Sequence, residues 1–185
     1  MSNSLRLETD RLVLRRLSPD DVDSLAPYMA DPEVMRYMGG ATMTREQTAA
    51  RIERFMEVFD MDGIGQFAIE HKEDGAVLGR CGILIWETDP WTPLARAEAT
   101  KPTETEIGYL LGRPHWGYGY ATEAATAVRD YAQSQLGEER IIALIQDGND
   151  RSKRVAEKLG MAYEREVQLR FARVGLYSLG NRPAL

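Results

Sequence analysis

Apolar and polar residues alternate over Arg11-Leu12-Val13-Leu14-Arg15-Arg16-Leu17, which predicts a first strand. Ser18-Pro19-Asp20-Asp21 then starts a helix, with Ser18 as N-cap and Pro19 at the first helical position. Val22, Leu25, Ala26 and Met29 fall on one face of that helix. It should end near Asp31-Pro32, because proline disfavours helical geometry in the residue before it. Residues 35–43 read as a loop carrying Gly39-Gly40. Thr44 caps the next helix, with Gln47 in capping-box register, and the helix runs to about Phe59 with Ile52, Phe55, Met56 and Phe59 along one side. Two apolar runs, 65–70 and 77–86, flank Glu73-Asp74-Gly75 and predict a hairpin. Residues 89–103 break the pattern with Pro90, Pro93 and Pro102 around Trp91. An excursion over a binding cleft and an ordinary surface loop both fit that stretch.

The second half is more regular. Glu104 to Leu111 reads as a strand and Tyr118 to Leu136 as a helix. The inner face of that helix is Ala121, Ala124, Ala125, Val128, Tyr131 and Ala132, and Gly137 ends it. Arg140 to Gln146 is almost continuously apolar, so it predicts a strand buried on both faces. Asp150 to Leu159 is a short helix stopped by Gly160. Residues 161–167 and 170–179 predict two closing antiparallel strands, the candidate surface for a homodimer. The simplest arrangement is a mixed α/β fold: one single domain, a central sheet that is mostly antiparallel, and helices on both faces. The helix between Glu104–Leu111 and Arg140–Gln146 makes those two strands a parallel pair with a right-handed crossover.

Composition narrows the possibilities. The chain has 185 residues, 43% hydrophobic and 28% charged, which predicts one packed domain rather than disorder. A formal net charge of −6 argues against nucleic acid as the main partner and fits an amine-bearing substrate. Cys81 is the single cysteine, so no intrachain disulfide forms, and its setting among Gly79, Gly82, Ile83 and Leu84 predicts a small buried hydrophobe. His71 and His115 have no ligand spacing, so no metal site is expected. Met1 to Thr9 has no long apolar run, and no stretch of about eighteen apolar residues occurs. A cytoplasmic protein with no membrane span is the expectation.

The chain is organised around Glu106 to Gly160, and its centre is the turn Arg113-Pro114-His115-Trp116-Gly117-Tyr118-Gly119-Tyr120-Ala121-Thr122. Two glycines at a helix start let backbone N–H groups meet an anion. A dinucleotide fingerprint requires a third glycine, but that position is Thr122. It also places its turn directly after the fold's first strand, whereas residues 112–116 intervene here, late in the sheet. The other reading is a pyrophosphate arm held by successive amides from Gly117 to Thr122, which is how coenzyme A is bound; no lysine is needed, and the motif has none.

Several segments in order carry a resemblance. They are residues 7–15, Asp31-Pro32-Glu33-Val34-Met35-Arg36-Tyr37-Met38, Glu106-Ile107-Gly108-Tyr109, residues 116–124 and residues 149–161. Through them the sequence resembles the GNAT acetyltransferase superfamily, in its Rim-type branch of ribosomal-protein N-terminal acetyltransferases. The resemblance spans nearly the whole chain. It implies acetyl-CoA as co-substrate, direct transfer of acetyl to a primary amine, and a parallel strand pair splayed around the cofactor. The superfamily signature Gln/Arg-x-x-Gly-x-Gly/Ala falls on Trp116-Gly117-Tyr118-Gly119-Tyr120-Ala121, with Trp116 in place of the usual Gln or Arg.

The resemblance also marks candidates for the chemistry. Glu106 matches the strand position of a glutamate base in several GNAT enzymes; burial in a cleft raises a carboxylate pKa and suits that task. A structural carboxylate bonded to nearby backbone or an arginine is the alternative. Many relatives carry a tyrosine acid seven residues after Asn149, but Ala156 stands there. Ser152, in the first turn of that helix, is the candidate acid instead, against a purely local bond to its own backbone. Asn149 either caps its helix or reaches the pantetheine arm, and Leu111 offers that arm its backbone groups. Glu123 reads as structural. Tyr37, Trp86, Trp91 and Tyr109 either line the amine pocket or simply pack. The acceptor is a small-molecule amine or a protein N-terminus. A CoA-binding regulatory module and a dinucleotide-dependent oxidoreductase are the rival classes.

Overall fold

The computed structural model describes residues 5–180. The strands are β1 (Arg6–Glu8), β2 (Leu12–Arg16), β3 (Gln66–His71), β4 (Val77–Thr88), β5 (Trp91–Leu94), β6 (Thr103–Leu111), β7 (Ile141–Gln146), β8 (Ala162–Gln168) and β9 (Arg173–Leu179). They form one sheet in the order β1-β2-β3-β4-β6-β7-β9-β8, with β5 added on β4. The helices are α1 (Val22–Met29), α2 (Pro32–Met35), α3 (Arg45–Asp62), α4 (Tyr120–Gln135) and α5 (Asp150–Lys158). Among the described residues, no helix is long and apolar enough to cross a membrane.

Strand pairing is antiparallel throughout except between β6 and β7. That parallel pair shares a single register contact, Glu106 with Ile142, and then separates. Two residues on, the Leu144 N–H donates to the Glu106 Oε1 side-chain atom at 3.1 Å. The carboxylate thus takes a donor that a continued ladder would have used, and the sheet stays open beyond it.

Each face of the sheet is covered. Ala124, Ala125, Val128 and Ala132 of α4 are fully buried against Cys81, Ile83, Ile85, Ile107 and Ile141. Small side chains let this helix lie close to the strands. On the opposite face Leu17, Val22, Leu25, Ile52 and Phe55 pack over Ala68, which places α1 and α3 there. Burial pushes the Cys81 thiol up to about 12, so this residue is an inert core group.

The helix ends carry the expected chemistry with some shifts. The Thr44 N–H donates to Gln47 Oε1 at 2.8 Å, the reciprocal bond of a capping box. α3 continues past Phe59 to Asp62, until Gly63 turns left-handed at φ 71. Pro19–Asp21 is a 3-10 turn and α1 begins only at Val22. Asp21 closes that turn, accepting from Ser18 N–H at 2.8 Å and from both terminal nitrogens of Arg15 at 3.0 and 2.7 Å. Asp31-Pro32 ends α1 and also opens α2: the Asp31 side chain accepts from Glu33 N–H, and proline suits a first helical position. Residues 89–103 contain the short edge strand β5, whose proline, Pro93, confines it to the margin of the sheet.

Candidate active site

The opening between β6 and β7 leads into two adjoining cavities. The larger, of about 980 Å³, takes lining from both faces of the sheet, including Glu106, Gly108 and Leu84 on one side and Ile107, Ala143 and Ala156 on the other. The smaller, of about 670 Å³, runs over the start of α4 and the exposed side of α5. Tyr37, Met38, Tyr109, Asn149 and Ser152 line both, so they mark the junction.

The smaller cavity contains the glycine turn. Gly117 and Gly119 have φ of 87° and 86°, where an L side chain is strained. This bends the chain so that α4 begins at Tyr120, two residues later than its apolar period predicts. Gly119 caps the helix with no side-chain bond, and the first helical hydrogen bond runs from Glu123 N to Gly119 O at 3.0 Å. Among the described residues, the N–H groups of residues 117–122 have no acceptor. Gly117, Gly119, Tyr120, Ala121 and Thr122 line the cavity beside Trp116, and Arg151, Arg154 and Lys158 of α5 bring positive charge to the same wall. Free amides and three cations form a donor set that fits the phosphates of a CoA nucleotide.

Other expected cofactor contacts have additional roles. The Trp116 indole donates from Nε1 to the Leu111 carbonyl at 2.9 Å, tying the linker back to β6, and the Arg151 guanidinium stacks 4.3 Å from its ring. One backbone group of Leu111 is therefore already engaged. Tyr118 does not line the cavity; its side chain is 62% exposed and its carbonyl accepts from Arg11 Nη1 at 3.0 Å. Asn149 does cap α5, accepting from Ser152 N–H at 3.3 Å, and it also faces both cavities.

A clamp on the turn was not read from the sequence. Glu123 accepts from Thr9 Oγ1 at 2.6 Å, Arg11 N–H at 2.9 Å and Arg11 Nε at 2.8 Å. Arg11 also lies 4.5 Å over the Tyr120 ring. The loop before β2 therefore holds the glycine turn, and Glu123 is structural. The only signal in the sequence is an acid in the first turn of α4, which by itself fits a dipole contact equally well.

Glu106 sits at the far side of the junction with 7% exposure. Trp86 Nε1 donates to its Oε2 at 2.6 Å, and Leu144 N–H holds its Oε1. Burial raises its pKa to about 7, against the opposing pull of these two donors and of Arg80. The carboxylate bonds the backbone, as the structural alternative expects, and it also lines the larger cavity. Ser152 faces the junction from α5, next to Tyr109, whose phenol is shifted upward by burial and pulled back in part by the serine hydroxyl. Tyr37, Trp86 and Trp91 all line the larger cavity, so residues 89–103 contribute to its wall.

Comparison with known proteins agrees with this geometry. The family of the acetyltransferase (GNAT) domain matches residues 11–162. The uncharacterized protein YkkB of Bacillus subtilis (strain 168) is 35% identical, over 91% of this chain and 91% of its own. The uncharacterized N-acetyltransferase p20 of Bacillus licheniformis is 33% identical, over 89% of this chain and 85% of its own. Among solved structures, RimL, described as a ribosomal L7/L12 alpha-N-protein acetyltransferase in complex with coenzyme A, superposes with a TM-score of 0.73. That match covers 94% of this chain and 97% of RimL at 13% identity, a likeness of fold.

Proposed function

The chain belongs to the GNAT acetyltransferase family, and on that premise we propose that it moves acetyl from acetyl-CoA to a primary amine by direct attack. One observation carries this reading. Unpartnered amides lie at one end of a continuous space and a buried carboxylate with a pKa near 7 lies at the other, with a serine hydroxyl at the junction.

The amides of residues 117–122 and the cations of α5 hold the phosphates. The opening between β6 and β7, beside Asn149, would take the pantetheine arm. Acetyl-CoA supplies the thioester. The amine approaches through the larger cavity, and Glu106 accepts its proton as the amine nitrogen bonds the acetyl carbon. The carbon–sulfur bond then breaks, and Ser152, beside Tyr109, provides a proton or a hydrogen bond to the departing thiolate. The motif resemblance to the Rim-type branch favours a protein N-terminus as acceptor, whereas the volume of the larger cavity, about 980 Å³, suits a small molecule.

The test is release of free thiol from acetyl-CoA with a panel of amines, together with a one-acetyl mass gain on the acceptor. Thiol release that depends on the amine supports the proposal. CoA binding without turnover of any amine would instead indicate a regulatory CoA-binding module, and tight NAD binding without CoA binding would sink both.

A further inference from the structure

The chain is acidic overall, yet the larger cavity is not. It is lined by four arginines, Arg51, Arg54, Arg80 and Arg170, and by one carboxylate, Glu106. Arg54 is neutralised by Glu57 and Glu98. Among the described residues, Arg51 and Arg170 have no carboxylate partner within salt-bridge distance, and neither has Arg80.

Arg80 is the deepest of the four, at 5% exposure. Nη1 donates to Gln66 Oε1 at 2.6 Å, and its guanidinium lies 4.9 Å from the Phe55 ring centroid. Among the described residues, its Nε has no partner. A donor of a buried charged group left unpaired is unfavourable, and an acceptor brought to it would relieve that. Burial and the neighbouring Arg51 pull the Arg80 pKa down to about 10, which leaves the group charged at neutral pH. Two like charges adjoin here over an open space.

The sheet supplies the room. Arg80, Gly82 and Leu84 stand opposite Leu110, Gly108 and Glu106 in register. Gly65, Gln66, Leu84 and Gly108 line the larger cavity together with the arginine and the carboxylate. A Cβ at Gly82 would lie 2.1 Å from the Gly65 carbonyl oxygen, so the adjoining backbone closes the space at that glycine, and the cavity is bordered by Gly108 instead. Four residues of strand place the Arg80 position about 13 Å from that of Leu84, opposite Glu106, before the side chains reach toward each other.

We propose that the acceptor is an amine that also carries an oxyanion, a carboxylate or a phosphate, with the oxyanion bound by Arg80 and Arg51 while the amine faces Glu106. This rests on the acetyl-transfer reading of the same cavity and adds the substrate class. A guanidinium fork matches either oxyanion, and the cavity bordered by Gln66, Leu84 and Gly108 takes the chain that joins the two ends.

The experiment measures binding separately from turnover. Acetamido-alkanoates of two to six carbons, their carboxamides and the matching phosphonates are titrated into the CoA-loaded protein by calorimetry. For at least one length the acid should bind about tenfold or more tightly than its carboxamide, and carboxylate against phosphonate identifies the oxyanion. In Arg80→Met that ratio should fall below about threefold, and in Arg51→Ala it should fall in part. Equal binding of acid and carboxamide at every length overturns the proposal, as does a ratio unchanged in Arg80→Met. If Arg80→Met does not fold, an unchanged ratio in Arg51→Ala overturns it. Thiol release is followed in parallel. Failure of every amine to turn over removes the acetyl-transfer reading, while the binding ratio still decides the oxyanion site.

Discussion

Trp86 and Glu106 lie on adjacent antiparallel strands, and the indole Nε1 of one donates to Oε2 of the other at 2.6 Å. This bond favours the charged carboxylate, whereas burial disfavours it and prevails, so the pKa stands near 7. A base works only when deprotonated. Activity should therefore rise with pH through about 7 and then level off, as far as Glu106 governs it. Trp86→Phe removes the donor and keeps much of the packing. It should move the acidic limb of the kcat/KM profile upward by about one unit or more, since a hydrogen bond to a charged group contributes about 1.5–3 kcal/mol. An acidic limb left in place by Trp86→Phe would show that another group titrates.

Glu106→Gln separates the base from the structural carboxylate. Its amide retains much of the shape but accepts no proton near pH 7. kcat should fall about a hundredfold or more, with acetyl-CoA affinity nearly unchanged, as read by calorimetry. The loss should be largest at and just above pH 7, where parent Glu106 is deprotonated, and should shrink as pH falls below 7 and the parent carboxylate takes up its own proton. Parent-like activity across the whole pH range would remove Glu106 from the chemistry.

The sequence carries the elements well and the partnerships poorly. The alanine face of α4, the Thr44–Gln47 box and the parallel pair around α4 follow from periodicity and caps, which are local. The glycine turn was legible because positive φ selects glycine. β5 was not, because prolines mask a strand that exists only by pairing with the end of β4. The Arg11–Glu123 clamp joins residues 112 apart, and no local rule links them. Glu106 was identifiable from its resemblance, but its donors were not: Trp86 and Leu144 come from the two strands that flank β6. The arginine lining of the larger cavity was hidden beneath a negative net charge, since net charge averages over surface that the cavity does not share.

Gly119→Trp tests the phosphate-binding turn. The φ of 86° costs an L residue about 1–2 kcal/mol, which the fold should survive. The indole would fill the space over the free amides. CoA binding by calorimetry should be lost, with a thermal melt a few degrees below the parent. Retained affinity would mean that the anion lies elsewhere.

Stability should respond more to a buried ion pair than to exposed ones. Arg140 Nε meets Glu104 Oε2 at 2.9 Å with side-chain exposures of 7% and 10%, and Nη2 meets Glu164 at 2.7 Å. Glu104→Ala should destabilise by about 3 kcal/mol in denaturant unfolding, because the arginine is left buried with one partner fewer. Asp23→Ala, which breaks an exposed pair with Arg45, should leave stability nearly unchanged. Similar losses from the two variants would mean that Glu104 contributes no more than a surface charge.

Ser152 and Tyr109 should act together on the leaving thiolate. Both line the junction of the two cavities, and the serine hydroxyl moderates a phenol that burial has shifted upward. A lone serine is a poor acid; beside the phenol it can relay a proton or share the thiolate. Ser152→Ala and Tyr109→Phe should each lower kcat by about tenfold, within the lower part of what a positioned proton donor contributes. If they form one unit, the double variant should be little worse than either single one, a strongly non-additive cycle. The effect should lessen with an acetyl thioester of a more acidic thiol, whose thiolate needs less help to depart. Full additivity, or an equal loss with either thiol, would assign the two hydroxyls to packing and leave the thiolate to solvent.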